Sequence, residues 1–81
     1  MTKYHIYDEE KNLLLWYGCH PDDGYFYEIL EVTELEEGKG NIIEKKSSLG
    51  DFLTSPEFYS ILDEWEAPRE HLLAVSLFLD F

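Results

Sequence analysis

The chain has 81 residues, 18 of them acidic and only six basic, for a formal net charge of −12. That length builds one hydrophobic core and so one domain over residues 1–81. Hydrophobic residues at 44% and aromatics at 16% set it apart from aromatic-poor, charge-driven disorder. The charge argues against direct nucleic-acid binding, which needs Lys and Arg to neutralise phosphates. It favours a partner that is itself basic.

In chain order, Lys3–Tyr7 and Leu13–Gly18 read as strands, joined by the polar stretch Asp8-Glu9-Glu10-Lys11-Asn12, where Asn12 suits a left-handed turn. In the second run both faces are largely apolar, which predicts a central strand covered on both sides. His20-Pro21-Asp22-Asp23-Gly24 is a turn signal. Tyr25–Val32 reads as a third strand; the rival is a helix begun at Pro21 and stopped at Gly38, against which Glu28, Glu31, Glu34, Glu36 and Glu37 spread around the whole helical wheel. A charged, glycine-punctuated loop over 34–40 leads to a short fourth strand, Asn41–Lys45. Lys45 and Lys46 suit the guarding of a sheet edge.

Ser48-Leu49-Gly50-Asp51 resembles a capping box for a short helical turn carrying Phe52 and Leu53. A helix follows, with Ser55 as N-cap, Pro56 in the first turn and Glu57 at the positive end of the dipole. Its apolar face is Phe58, Ile61, Leu62 and Trp65, at i, i+3, i+4, i+7 spacing. Residues 71–81 fit both a helix begun at Pro68 and a strand; Leu and Ala favour the helix. The predicted fold is α+β: a small antiparallel sheet of three or four strands in a meander, then one or two C-terminal helices packed on one face.

No motif carries catalysis. Cys19, His20, Asp22 and Asp23 are metal-ligand types, but no second Cys/His pair is spaced to complete a site, and His5 and His71 would have to arrive through the fold. Cys19 and His20 point to opposite faces of a strand, so they cannot act as nucleophile and base. Glycine-rich phosphate loops and calcium-loop spacing are absent from the sequence. The expectation is a non-enzyme without cofactor or metal. A lone cysteine, no apolar signal region and no stretch of membrane-span length lead to the expectation of a cytoplasmic protein with no membrane partner.

An antiparallel meander places its first and third connections at one end of the sheet. Asp8, Glu9 and Glu10 would then meet Glu34, Glu36 and Glu37 as one acidic end. Asp63, Glu64, Glu66 and Glu70 add carboxylates around the helix junction, and Tyr7, Tyr25 and Tyr27 would supply apolar anchors. The expected function is inhibition or neutralisation of a basic protein, such as a nuclease or other nucleic-acid-binding protein. By class analogy, phage inhibitors, immunity proteins and antitoxins act in this way, some as nucleic-acid mimics. The alternative is an accessory or adaptor subunit docking on a partner, or on a second copy as a homodimer, through Leu72, Leu77, Leu79 and Phe81, its charge serving solubility alone.

Overall fold

The computed structural model describes residues 2–79, without the side chains of Thr2, Ser76, Phe78 and Leu79. Strands β1 (Thr2–Asp8), β2 (Leu13–His20), β3 (Gly24–Glu34) and β4 (Lys39–Ser47) come first. They lie in chain order across one sheet, each antiparallel to the next. Helices α1 (Ser55–Glu64) and α2 (Arg69–Leu79) follow. The α+β meander expected from the sequence is therefore the observed fold. Residues 25–32 are strand, and the ambiguous C-terminal segment is helix through Leu79; Phe81 lies outside the described residues. Neither helix is long and apolar enough to cross a membrane.

Period-two alternation of aromatic and aliphatic residues sorts the strands into two faces. The register sets Tyr4 beside Tyr17 and Tyr17 beside Tyr27, then Ile6 beside Leu15 and Leu15 beside Ile29. Leu15, Tyr17, Cys19, Tyr27 and Ile29 join Leu53, Phe58, Leu62 and Val75 in the core, with Tyr4 and Ile6 packed at its margin. Phe58 and Leu62 are the fully buried members of the predicted helical stripe; Ile61 and Trp65 pack at its edge.

The opposite face is covered too. Leu14 and Leu30 are buried there although they lie outside the helix-facing cluster. The tip of the β3–β4 hairpin approaches them. Gly38, at φ +64°, sits where a Cβ would come within 2.8 Å of Trp16 Cζ2, so only glycine satisfies both the turn and the contact. Register irregularities at Ile29/Leu30 and Val32/Glu34 precede the tip, and such bulges bend and twist a strand.

Two caps fall one residue upstream of the expected positions. Thr54, and not Ser55, caps α1: its hydroxyl accepts the Glu57 amide at 3.4 Å. In the preceding connection Ser47, and not Ser48, is the pivot, and residues 48–50 form a turn followed by a bend at Asp51, with no helix. The Ser47 amide donates to Asp51 Oδ2 at 3.0 Å, and its hydroxyl accepts the Gly50 amide at 3.1 Å. The capping chemistry was legible; tertiary contacts chose which hydroxyl performs it. Ser48 is drawn away to Tyr25 and Asp23.

Tyr17 is fully buried, and its hydroxyl shares a hydrogen bond with His71 Nδ1 on α2. The His71 ring also stacks on Tyr4, with centroids 4.0 Å apart and planes within 13°. These contacts tie α2 to β1 and β2. His71→Ala strands a buried hydroxyl and is expected to destabilise by about 1–3 kcal/mol, whereas Tyr17→Phe combined with His71→Leu recovers much of the loss; denaturant midpoints of the three variants check this.

Burial pushes the phenols of Tyr17 and Tyr27 up to about 12, the Glu44 carboxylate adding to the effect at Tyr27. The folded state therefore disfavours both phenolates. Their stabilising contribution is complete below about pH 10 and falls away as pH rises towards about 12. A denaturant midpoint that declines across this window, in step with phenolate absorbance, is the expected outcome.

Candidate functional site

A groove of about 780 Å³ opens between the end of the sheet bearing the β1–β2 turn and the C-terminal end of α1. Its apolar lining is Ile6, Leu13, Ile29, Ile43, Ile61 and Trp65. Six carboxylates line it as well, those of Asp8, Glu9, Glu10, Glu44, Glu64 and Glu66, against one ammonium group, on Lys11.

Both acidic banks are held by the backbone. In the β1–β2 turn, Asn12 takes the expected left-handed conformation at φ +55°. Its side-chain amide donates to Val32 O at 2.9 Å, and its Oδ1 accepts the Tyr7 hydroxyl at 2.9 Å. The Lys11 amide donates to Asp8 Oδ1 at 3.2 Å, closing the loop on itself. On the other bank α1 ends in a Schellman motif, with the Ala67 amide on Leu62 O at 2.9 Å and the Glu66 amide on Asp63 O at 3.0 Å. Glu44 is fixed by the Tyr27 hydroxyl, which donates to its Oε2 at 3.0 Å.

Local preferences run against this arrangement. Asp63, Glu64 and Glu66 cluster at the negative end of the α1 dipole, where carboxylates are unfavourable and the last turn has no basic residue. Glu66 occupies the left-handed position at φ +53°, which usually falls to glycine. Local rules are broken together chiefly where function demands it.

Of the residues singled out from sequence, Asp8, Glu9, Glu10, Glu64, Glu66 and Tyr7 border the groove. Glu34, Glu36 and Glu37 share that end of the sheet, but the bent hairpin carries Glu36 and Glu37 to the opposite face. There they line a second concavity of about 380 Å³ with His5, Tyr7, Leu14, Trp16, Leu35 and Gly38. The single acidic end expected from the meander is thus divided between two faces. Lys39, at 2.9 Å, and then Glu34 hold the Glu37 carboxyl below the usual range. Asp63 and Glu70 are exposed on the helices, outside both concavities.

Tyr25 and Tyr27 serve the core and are not surface anchors. Tyr25 packs its ring on Phe58, centroids 5.2 Å apart, and its hydroxyl donates to Leu53 O at 2.7 Å. Tyr27 is buried against Glu44. Both lie on the helix-facing side of β3, a placement that follows from register and not from residue type. Sequence reasoning missed Glu44 and Trp65 as groove residues. A carboxylate between Ile43 and the Lys45-Lys46 pair was the available signal for Glu44; Trp65 read simply as core.

Cys19 is buried within the core and burial pushes its thiol up, a poor setting for a nucleophile. The His20 ring lies 3.8 and 4.0 Å from the Asp22 and Asp23 carboxylates. Among the described residues no group of three or more His, Cys, Asp or Glu side chains is arranged to hold a metal ion.

Glu66→Gly is expected to raise stability by about 1 kcal/mol by relieving the left-handed strain, as measured by chemical denaturation. The strain would then be a feature retained for something other than folding.

Compared with known proteins, the chain matches no family model, no curated protein and no solved structure.

Proposed function

We propose that this chain is a small interaction protein that inhibits or regulates a basic protein by receiving a Lys- and Arg-bearing segment in the acidic groove. One observation carries the reading: six carboxylates surround an apolar floor on internally hydrogen-bonded backbone. Guanidinium groups pair with carboxylates in charge-assisted, often bidentate, bonds. The net charge of −12 speeds encounter with a cationic surface. Ile61 and Trp65 supply the contact that long-range charge lacks. Because the Asp8–Asn12 turn and the end of α1 are internally bonded, little ordering opposes binding.

A partner whose cations normally grip phosphates, such as a nuclease, has the required chemistry, as does a basic toxin. The chain would then occupy the nucleic-acid site by imitation, in the manner of a phage inhibitor or an antitoxin acting in the cytoplasm. This role needs no catalytic group, cofactor or metal.

One observation favours the adaptor reading. Leu73 and Leu77, one turn apart on α2, are 58% and 68% exposed. Leu72, which the sequence suggested for such a contact, packs instead against the core. An α2 docking face would therefore use Leu73 and Leu77.

The test is capture from host lysate by the tagged protein, comparing wild type with Glu10→Lys/Glu66→Lys and with Leu73→Ser/Leu77→Ser. The groove reading expects a basic protein that salt releases, and an association rate that the charge reversal lowers by about tenfold or more. A partner indifferent to the reversal but lost with the leucine variant would replace it with the adaptor reading.

A further inference from the structure

The second concavity differs in kind from the groove. Trp16 and Leu14 of β2, His5 and Tyr7 of β1, and Leu35 to Gly38 of the hairpin tip line its volume of about 380 Å³. This is an aromatic recess with carboxylates on one lip. His5 lies against Trp16 at a centroid distance of 4.8 Å and an angle of 47°. Lys3 Nζ sits 4.5 Å from the centre of the Trp16 ring. The ring therefore already receives an alkylammonium from its own chain. Tryptophan has the most favourable face for that contact, and the neighbouring Glu36 adds negative potential, Glu37 being paired with Lys39.

We propose that this recess takes one arginine or lysine side chain of the basic partner, set against the Trp16 ring beside Glu36. The inference rests on the partner being basic, as proposed above, and adds a contact separate from the groove. Tyr7 borders both concavities, and β1 is an edge strand. A segment leaving the groove across β1 thus reaches the recess without a long detour.

The two tryptophans of the chain report separately, Trp16 in the recess and Trp65 in the groove. Trp65→Phe and Trp16→Phe proteins, checked for folding by circular dichroism, are titrated with an acetylated Arg-Lys-Arg-Lys tetrapeptide near physiological ionic strength. A saturable change in Trp16 emission is expected in the first protein. His5→Ala or Glu36→Gln should weaken peptide binding about two- to fivefold, the scale of an exposed cation–π contact. His5 and Glu36 are both exposed, so calorimetry on these variants of the otherwise unchanged chain measures the same affinities if a tryptophan variant fails to fold. Saturable Trp65 emission with silent Trp16, and affinities untouched by the two recess variants, would overturn this second contact and leave the groove reading standing. No binding at either tryptophan or by calorimetry would overturn both.

Discussion

The second strand has to bury both of its faces, and most of the molecule is organised by that requirement. Leu15, Tyr17 and Cys19 point to one side, Leu14 and Trp16 to the other. Two short helices can cover only one face of a four-stranded sheet, and they cover the side bearing the tyrosine row. The other face is covered by the molecule's own β3–β4 hairpin, bent at two register irregularities until Gly38 meets the Trp16 ring. With both helices on the tyrosine side, the hairpin tip covers this face. The fit is incomplete, and the remaining space is the aromatic recess.

The tyrosines show how so small a core accommodates polar atoms. Tyr17, Tyr25 and Tyr27 bring large apolar area, but each hydroxyl needs a partner once withdrawn from water. His71, the Leu53 carbonyl and Glu44 provide them. Among the described residues no buried side-chain nitrogen or oxygen lacks a hydrogen bond. Each of these bonds joins residues well separated in sequence, so the tyrosines link sheet to helix, sheet to connection and strand to strand. The Tyr27–Glu44 bond also fixes a carboxylate of the groove, which couples core packing directly to the acidic surface.

Charge is distributed so that stability gives way locally. A helix end with acidic residues and no compensating cation, followed by a glutamate in the left-handed region, is a poor choice for folding alone. The same residues form one bank of the groove, facing the Asp8–Glu10 turn. Solubility would be served by carboxylates at many less awkward positions. Here they are concentrated around an apolar floor.

The chain itself determined the elements and their order: apolar and aromatic runs marked the four strands, Asn12 marked the first turn, and the spacing of Phe58, Ile61, Leu62 and Trp65 marked α1. These signals are local, arising from backbone sterics and from which side chains share a face within a few residues. Hydrophobicity alone left residues 71–81 open between helix and strand; the helix is the outcome in which His71 reaches the Tyr17 hydroxyl and the Tyr4 ring. The acidic end was legible only in outline. Meander topology correctly brought both loops to one end of the sheet, but bulges carried Glu36 and Glu37 to the other face, and bulges leave little trace in composition. Register decided that Tyr25 and Tyr27 turn inward while Trp16 and Tyr7 border the concavities. Such choices depend on pairings between residues far apart in sequence, and a one-residue slip would have reversed every one of them.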